Sequence, residues 1–531
     1  MINAVYPAWN VSSQDLGNWD HFCYSQYNLQ YDDMSENFFH HYRDDIQRMS
    51  DMGLSSFQFS ISWSRIMIWN AETRRMEPNP QGLTSYHALL DDMQAKALQP
   101  IATLYQFNLP LMLQTKLEPT GWLNPDIVTH FEDFAELAFR EFGKKVKYWA
   151  TFDEPLTFIS GKYGSRDVVS GAKKPSDMNI YTVAHNVLLS HARAVAVFRA
   201  LKGDERNVIA AGARIGIMLS TEFGYPLDES DALNAEAAEL EMQFSLGWLL
   251  MPIATGDYPA IMRERIGNRL PTFSSDEAAL VKGSYDVFLL NNYNFCLKYS
   301  ERSCGKLPQA YDSERETDET PVHNGPRMLP ASSPGSSWRP GCPDSYFATI
   351  RWLHEKDRST EILLTETSWC KTNQIDTLGQ LRCFQVYIRQ LYKAIVEEKI
   401  PIIGFTAQSV LDNNEHGSYS LHFGQYVNFT SSSTQGLPCN LHPVVEWFAH
   451  LATTKCLDRW DQEAVLSRKK ELDLEAGGND VDVPWSLSEV VILIIIGVLI
   501  LGAITYEVMR KLRMSSQGSP EEVQVLITIE D

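Results

Sequence analysis

Two glutamates stand where short apolar runs of the chain end. Glu154 follows the run at 148–152, and Glu366 follows the run at 362–365. In a β/α barrel the reactive side chains lie at the carboxyl ends of the strands, so both glutamates would face one mouth. Cleavage of a glycosidic bond needs two carboxyl groups, one to protonate the departing oxygen and one to attack carbon or activate water. The pair therefore indicates glycoside chemistry, with moderate specificity, because such a barrel carries several acids at its mouth.

The elements that must position these glutamates alternate between strand-like and helix-like segments. Such alternation predicts a parallel sheet of the α/β class. We count seven strands, which fits a (β/α)8 TIM barrel whose first strand is missing, followed by one C-terminal transmembrane helix. The segment 300–340 is rich in Pro, Gly, Ser and charge and predicts a long surface loop over the mouth. The strand-like runs are 57–61, 101–105, 148–152, 214–219, 287–291, 362–365 and 402–407, and the helix-like segments include 38–52, 127–142, 180–201 and 380–398.

The residues around the glutamates resemble the signatures of glycoside hydrolase family 1, the β-glucosidase, lactase-like and klotho-like group. ATFDEPL at 150–156 is similar to the acid/base signature TFNEP, and LLTETSW at 363–369 is similar to the nucleophile signature TENG. FSISWSRI at 59–66 is close to the family's second strand, and the 212-residue gap from Glu154 to Glu366 suits the family (366 − 154). Matches in the same order cover about 20–455.

This resemblance implies a retaining double displacement. Glu366 would attack the anomeric carbon, and Glu154 would act first as acid and then as base, with the carboxyls ~5–5.5 Å apart. Arg65 would hydrogen-bond the nucleophile and keep it ionised. Tyr293 would donate to Glu366 from the other side, and Asn291 would support the mouth. No cofactor and no metal is required, because two carboxyl groups complete the mechanism.

Several sugar-site positions depart from the family pattern. Gln106 replaces a histidine after the third strand, and Asp153 replaces the asparagine that donates to the sugar 2-hydroxyl. An ionised aspartate only accepts hydrogen bonds, and it adds a negative charge beside both glutamates. Gln408 and His416 replace two tryptophans, which removes stacking area for a sugar ring. Glu415 matches the family glutamate that grips sugar hydroxyls.

Two functions from different classes follow from these residues. The first is a retaining β-glycosidase, β-glucosidase-like, that hydrolyses a β-linked glycoside or oligosaccharide in carbohydrate metabolism. The second is a catalytically weak or inactive klotho-like ectodomain that binds sugar or acts as a co-receptor. Klotho-type domains typically lose one catalytic glutamate, whereas this chain keeps both, and that difference favours the enzyme.

Composition narrows the class of partner. The 531 residues include 67 acidic and 46 basic side chains, a net charge of −21, which argues against nucleic acid because phosphate binding needs a basic surface. Eight cysteines form no CxxC pair and no zinc spacing, so they predict no metal site. Cys304 with Cys342, and Cys439 with Cys456, are pairs that an oxidising compartment would allow to form disulfides.

The C-terminal part of the sequence predicts a membrane anchor. The segment 490–506, from Val490 to Tyr506, carries no charge, and Arg510, Lys511 and Arg513 follow it. The positive-inside rule then places the C-terminus in the cytoplasm and the barrel outside the cell or in a lumen. The sequons at Asn10 and Asn428 are compatible with a glycoprotein. The predicted organisation is a non-family stretch at 1–19, the barrel at 20–460, an acidic stalk at 461–484, the transmembrane helix at 485–508 and the cytoplasmic tail at 509–531.

This topology requires an N-terminal signal, and the opening residues lack a basic start and an apolar run of the required length. A barrel without its first strand would also expose two strand edges, which is costly. We therefore predict that the transcript extends upstream, with a signal peptide and a strand that contains a glutamine.

Overall fold

Eight parallel strands close into a barrel in the computed structural model. In chain order the strands are β1 (Ile2–Ala4), β2 (Ser56–Ser60), β3 (Gln99–Tyr105), β4 (Tyr148–Asp153), β5 (Arg214–Ser220), β6 (Phe288–Asn291), β7 (Ile362–Thr367) and β8 (Ile402–Ala407). The structure describes residues 2–4, 36–164, 177–221, 223–226, 228–292, 297–301, 317–321, 343–367, 371–372, 377–407, 421–422, 443–454 and 457.

The seven predicted strands are confirmed, whereas the prediction that the first strand is missing is wrong. The segment Ile2–Ala4 takes that place: it runs parallel to β2, with Ile2 opposite Phe57, and parallel to β8, with Ile2 opposite Ala407. Three residues with only one large apolar side chain do not reach the length at which alternation becomes visible in sequence. The strand conformation of Ile2–Ala4 depends instead on its pairing with β2 and β8.

A layer of strand side chains fills part of the barrel interior, so the barrel is a packed core rather than a pore. Side chains at alternate strand positions point to the same side, and this layer takes one or two residues from each of five neighbouring strands. Gln58 of β2 contacts this layer, since its Nε2 donates to the sulfur of Met218 at 3.5 Å. The members of the layer are Ile101, Ala150, Met218, Val287, Leu289 and Leu363.

Helices follow the strands and cover the barrel. The helix Pro80–Ala95 starts where Asn79 Oδ1 accepts from the backbone nitrogen of Gln81 at 3.2 Å, with proline in the first turn. Ser274 and Glu277 form a reciprocal cap for Ser275–Val281. The remaining α-helices are Glu36–Asp51, Trp63–Ile66, Leu111–Lys116, Ile127–Phe142, Pro155–Phe158, Asp177–Lys202, Ala232–Phe244, Leu246–Thr255, Ala260–Ile266, Pro343–Lys356, Thr377–Val396 and Pro443–Thr454; Gly121–Leu123 and Gly267–Arg269 are 3-10 helices, and Ile159–Gly164 is a π-helix.

The helix Ile127–Phe142 packs against residues at the carboxyl ends of two barrel strands, β2 and β4. Its apolar residues recur at three- and four-residue intervals, which places them on one buried face. On that face the Phe131 ring stacks on Phe152 of β4 at a centroid distance of 4.6 Å. The Phe134 ring stacks on Trp63, just after β2, at 4.9 Å. The helix therefore ties together the carboxyl ends of β2 and β4, where Arg65 and Glu154 lie.

Additional strands decorate the barrel. Gly224–Pro226, Leu297–Glu301 and Thr317–Pro321 form a three-stranded sheet, so the segment 300–340 is not purely a loop. Met67–Asn70 pairs with Arg75–Pro78, and Lys371–Thr372 pairs with Leu421–His422. The strand Gly224–Pro226 is only three residues long, and the strand Thr317–Pro321 is rich in threonine and acidic residues. Neither sequence favours a strand on its own.

The chain divides into two units, residues 1–460 and residues 461–531. The first contains the barrel. The stalk, the segment 490–506 and the tail lie outside the described residues, as do both sequons and the four cysteines of the two candidate disulfides. In the part of the chain that the structure describes, no helix is long and apolar enough to cross a membrane.

His191 on the helix Asp177–Lys202 predicts a loss of stability in acid. Its side chain is 0 % exposed, and its Nδ1 lies 2.7 Å from Oγ1 of Thr151 on β4. Burial lowers the pKa of His191 to about 3. In the unfolded chain the pKa of a histidine is ~6.5. Below pH 6.5 the unfolded state therefore binds a proton that the folded state does not bind. The contribution to stability is complete above pH 6.5 and is lost as the pH falls towards 3.

We expect this group to reduce the free energy of unfolding by about 2 kcal/mol between pH 7 and pH 5. Urea unfolding of wild type and His191→Gln at both values measures it, because glutamine keeps a hydrogen-bonding group near Thr151 and does not titrate. The variant should lose less stability on acidification by about that amount. Equal losses in both proteins would show that His191 is not responsible.

Candidate active site

The carboxyl groups of Glu154 and Glu366 meet at the carboxyl end of the barrel. Both side chains are nearly buried, with 7 % and 4 % exposed. An oxygen of Glu154, an oxygen of Glu366 and an oxygen of Asp153 all lie within 4.8 Å of one another. Retaining glycosidases hold their two carboxyls ~5–5.5 Å apart, whereas inverting enzymes leave ~6.5–9.5 Å for a water. Because one oxygen of each carboxyl lies within 4.8 Å of the other, the two groups are close enough for the retaining arrangement.

An unusual backbone conformation brings Glu154 to the mouth. Glu154 has φ 43° and ψ 57°, a left-handed conformation that is uncommon for any residue other than glycine. Its backbone nitrogen donates to Met218 O of β5 at 3.1 Å, and Pro155 then begins a short helix. Strict alternation would send Asp153 and Glu154 to opposite faces. The left-handed turn, together with a shift in the β4–β5 register between Ala150 and Asp153, lets both carboxylates reach the mouth.

A second register shift positions Glu366. Against β6, the pairing of β7 shifts between Leu364 and Glu366. Thr365 and Glu366 are neighbours, yet both contact the side chain of Asn291: Thr365 Oγ1 donates to Asn291 Oδ1 at 2.6 Å, and Asn291 Nδ2 lies 3.2 Å from Glu366 Oε2. A bulge-like irregularity of this kind commonly re-aims a side chain at a functional site.

The Asn291 amide joins the three carboxylates. Its Nδ2 donates to Asp153 Oδ1 and to Glu154 Oε1 at 3.0 Å each, in addition to its contact with Glu366. Ionised carboxylates only accept, and the Thr365 hydroxyl donates to the amide oxygen, so the orientation of the amide is unambiguous. Asn291 is 0 % exposed. The amide therefore holds the two glutamates and Asp153 together from beneath.

Three buried carboxylates also raise the question of a metal. Oxygen ligands are what Ca²⁺ and Mg²⁺ prefer. Here, however, the point shared by Asp153, Glu154 and Glu366 lies beside an amide nitrogen whose hydrogens point at the oxygens. A cation at that point would face a hydrogen-bond donor at short range. The geometry fits a hydrogen-bonded carboxylate cluster and gives no support for a metal centre at these residues.

Loss of the Asn291 amide should impair catalysis more than folding. Removing one preorganised donor from an active site typically costs ~10²–10³ in kcat, so we expect Asn291→Ala to lower kcat/KM for an aryl β-glycoside by about that factor. Asn186→Ala is the matched control, because it removes another buried amide, one that donates to Trp122 O at 2.9 Å. Equal losses of activity in the two variants would contradict a specific role for Asn291.

Gln106 and Asp153 contact each other, and their binding of a sugar stays a prediction. Gln106 Nε2 donates to Asp153 Oδ2 at 2.7 Å. Asp153 is 1 % exposed, and both of its carboxylate oxygens take donors from the protein, whereas Gln106 is only partly buried. Of the two, Gln106 is the more exposed.

Of the remaining predicted site residues, Arg65 is among the described residues and four others are not. Arg65 is buried in the helix Trp63–Ile66, directly after β2, and its backbone oxygen accepts from Asn79 Nδ2 at 2.8 Å. The hydrogen bond from its guanidinium to Glu366 stays a prediction. Tyr293, Gln408, Glu415 and His416 lie outside the described residues.

Two threonines in this site were missed by sequence reasoning. Thr365 orients the Asn291 amide, and Thr157 Oγ1 donates to Glu154 Oε2 at 3.0 Å. The position of Thr157, three residues after Glu154 in the turn of the following helix, is a signal that could have identified it. Thr365 offered no comparable signal, because regular alternation would have placed Thr365 and Glu366 on opposite sides.

Known proteins share both this sequence and this fold. The family model described as Glycosyl hydrolase family 1 matches residues 3–456, so it includes most of the stretch 1–19 that the sequence pattern left outside the family. Rice "Beta-glucosidase 25" is 32 % identical over 447 residues, 80 % of this chain and 85 % of that protein. Human lactase/phlorizin hydrolase is 30 % identical over 452 residues, 82 % of this chain and 22 % of that protein.

Solved structures agree with these sequence relatives. A rice β-glucosidase crystal structure superimposes with a TM-score of 0.74 at 28 % identity and covers 85 % of this chain and 96 % of its own. The β-glucosidase from Trichoderma harzianum gives a TM-score of 0.72 at 25 % identity and covers 84 % and 94 %. With a family model that spans most of the chain, a relative above 30 % identity and the same barrel, this chain belongs to glycosyl hydrolase family 1.

Proposed function

We propose that this protein is a retaining β-glycosidase in which Glu366 is the nucleophile and Glu154 is the acid/base. The observation that carries the proposal is the approach of their carboxyl groups to within 4.8 Å, bridged by the Asn291 amide. The inactive, co-receptor-like alternative has less support, because both glutamates converge and several relatives are named β-glucosidases.

In the first step, a Glu366 carboxylate oxygen attacks the anomeric carbon and forms a glycosyl ester. The bond from that carbon to the aglycone oxygen breaks, and Glu154 transfers its proton to the departing oxygen. The electron pair of the broken bond stays on the aglycone, which leaves as an alcohol. The left-handed turn at Glu154 supports this step, since it directs the acid towards the same space as Glu366.

In the second step, the Glu154 carboxylate accepts a proton from water, and the water oxygen attacks the anomeric carbon. The ester bond to Glu366 breaks, which frees the sugar and regenerates both side chains in their starting states. Two inversions give net retention. The two amide hydrogens of Asn291 are shared among oxygens of Asp153, Glu154 and Glu366, all within 3.2 Å of Nδ2, so one fixed amide supports the charge of whichever glutamate is ionised at each step.

The substrate that we infer is a β-linked glycoside or oligosaccharide. Several relatives of this chain are named β-glucosidases, and a further relative is human lactase/phlorizin hydrolase. A β-glucoside or β-galactoside is therefore the first candidate. Gln106 and Asp153 replace residues of the family pattern and contact each other. We therefore do not carry the sugar preference of the relatives over to this chain.

Hydrolysis of a panel of aryl β-glycosides, followed by proton NMR of the sugar released in the first minutes, tests the proposal. We expect turnover of at least one β-glucoside or β-galactoside, with the β-anomer formed first and the α-anomer appearing later by mutarotation. An α-anomer formed first would indicate an inverting mechanism. Absence of turnover of the whole panel by a folded protein would overturn the enzymatic function.

We also propose that the segment 490–506 anchors the protein as a single-pass membrane protein, with the barrel outside the cell or lumenal and the C-terminus cytoplasmic. Its 17 uncharged residues and the basic residues after it support this proposal. Extraction of expressing cells at alkaline pH provides the test. The full chain should stay with the membrane pellet and a chain that ends at residue 484 should not; release of the full chain would contradict an anchor.

A further inference from the structure

Strand β7 contains one residue more than its two neighbours at the position of Glu366. From Leu364 to Glu366 the chain advances two residues, while the paired residues of β6 are adjacent in sequence. On the other side, β7 advances three residues from Leu364 to Thr367, while the paired residues of β8 are two apart. Both neighbours therefore place the extra residue in the same short stretch, and this stretch is a β-bulge.

The bulge decides in which direction three successive side chains point. In a regular strand, neighbouring side chains alternate between the two faces. Thr365 and Glu366 nevertheless both point inwards, since they contact the Asn291 side chain at 2.6 Å and 3.2 Å. Thr367 points outwards, where its Oγ1 lies 3.0 Å from the hydroxyl oxygen of Tyr346. Without the extra residue, Glu366 would face the surrounding helices instead of the mouth.

Tyr346 is held on the outer side of this bulge by two helices. It lies in Pro343–Lys356, which precedes β7, and its ring meets Tyr387 of Thr377–Val396 edge-on at a centroid distance of 5.6 Å. Tyr346 and Thr367 are each 1 % exposed. Burial raises the pKa of Tyr346, so its hydroxyl keeps its proton at neutral pH. The contact therefore joins the residue after Glu366 to a side chain that is fixed by its packing.

We propose that Tyr346 is a positioning residue for the nucleophile, because its hydrogen bond to Thr367 fixes the outer side of the bulge and thereby the direction of Glu366. The inference rests on the proposed glycosidase function and adds a residue to it. On the inner side, the contact of Thr365 with Asn291 fixes the same bulge, so the nucleophile lies between two hydrogen-bonded threonines. Asparagine follows the glutamate in the signature TENG, so the pair of Tyr346 and Thr367 is not part of that signature.

Loss of the Tyr346 hydroxyl should slow the chemical steps and leave sugar binding unchanged. Both steps form or break the bond between the sugar and Glu366, and a displacement of a reacting group by about 1 Å can cost ~10²-fold in rate. The inner contact of the bulge remains in Tyr346→Phe. We therefore expect kcat and kcat/KM for an aryl β-glycoside to fall together, roughly tenfold, with KM unchanged.

Substitutions at Thr367 test whether the hydroxyl or the shape of the side chain matters. Thr367→Ser keeps an oxygen for Tyr346 and should retain most of the activity. Thr367→Val keeps the shape, loses the oxygen and should be as slow as Tyr346→Phe. The double variant Tyr346→Phe/Thr367→Val should be no slower than either single variant, since all three lack the same hydrogen bond. Losses that multiply in the double variant would contradict this hydrogen bond as the cause.

Removal of the nucleophile tests whether Tyr346 acts through Glu366. In Glu366→Ala, added azide attacks the anomeric carbon, the bond to the aglycone oxygen breaks, and Glu154 gives its proton to that oxygen. The direction of residue 366 then has no effect on the rate. We expect Tyr346→Phe to leave the azide-dependent rate of Glu366→Ala unchanged. A loss as large as the one it causes when Glu366 is present would show that Tyr346 supports the site in general, and would overturn the proposal.

Tyr258→Phe is the matched control for the loss of a buried tyrosine hydroxyl. Tyr258 is 4 % exposed, and its hydroxyl oxygen lies 3.0 Å from Nδ1 of His185, the same distance as between Tyr346 and Thr367. Urea unfolding measures the stability lost in each variant. Tyr258→Phe should keep the kcat of wild type, and equal losses of kcat in Tyr258→Phe and Tyr346→Phe would contradict a specific role for Tyr346.

Amide hydrogen exchange in β7 keeps the two proposals separable, because it needs no turnover. Tyr346→Phe should speed exchange at residues 365–367 roughly five- to tenfold over wild type, and Tyr258→Phe should not. If wild type hydrolyses nothing, the proposed function fails, and the exchange rates still decide whether Tyr346 holds the bulge at Glu366. If wild type hydrolyses the substrate and the kcat of Tyr346→Phe is unchanged, the function stands and this inference fails.

Discussion

Replacing Glu366 with alanine is expected to lower kcat/KM for aryl β-glycosides by at least about 10⁴-fold, because the carbon–oxygen bond of the glycosyl ester can no longer form. The Asn291 amide and Glu154 remain, so the site still binds sugar and still offers a proton. Azide should partly restore turnover by attacking the anomeric carbon in place of the missing carboxylate. A single displacement inverts the centre, and the product is therefore an α-glycosyl azide.

Glu361→Gln is the matched control for this prediction. Glu361 immediately precedes β7, at the opposite end of the strand from Glu366, and it pairs with Arg214 on β5. Losing its charge alters an ion pair at the base of the barrel and leaves the mouth untouched. The control should retain most of the wild-type activity. Normal turnover by a folded Glu366→Ala protein would remove Glu366 from the nucleophile role.

The second large effect is expected for Glu154→Ala, and it depends on the leaving group. A poor leaving group such as an alkyl alcohol needs protonation, so its kcat/KM should fall on the order of 10²–10⁴-fold. A dinitrophenolate leaves without a proton, so its kcat/KM should change by about tenfold or less. Its kcat should still fall, because no base is left to activate water, and the glycosyl ester on Glu366 should accumulate.

Azide distinguishes the role of Glu154 from that of Glu366. In Glu154→Ala the ester on Glu366 is intact, and azide attacks it from the face that water would use. The product is a β-glycosyl azide, the opposite anomer to that expected from Glu366→Ala. Mass spectrometry of the intact protein should detect the ester. The same azide anomer from both variants, or equal losses for both leaving groups, would contradict the assigned roles.

Much of the fold was predictable because its signals are local. Seven of the barrel strands, such as 148–152 and 402–407, are apolar runs bounded by turns, and the helix 127–142 repeats its phenylalanines at helical spacing. β1 was missed for the opposite reason: Ile2–Ala4 is three residues long, and its strand conformation depends on β2 and β8 at its sides. Short strands such as Gly224–Pro226 likewise owe their pairing to distant partners.

For the active site, two apolar runs followed by Glu154 and Glu366 were enough to predict that both glutamates lie at the carboxyl end of one parallel barrel and share its mouth. The directions in which the two side chains point depend on tertiary contacts. The left-handed turn at Glu154, the register shift before Glu366 and the Asn291 amide between them all depend on contacts between residues more than 60 positions apart. Residue types and spacing record where a strand ends. The direction of a side chain beyond that end is set by the hydrogen bonds of neighbouring strands, which have no trace in local sequence.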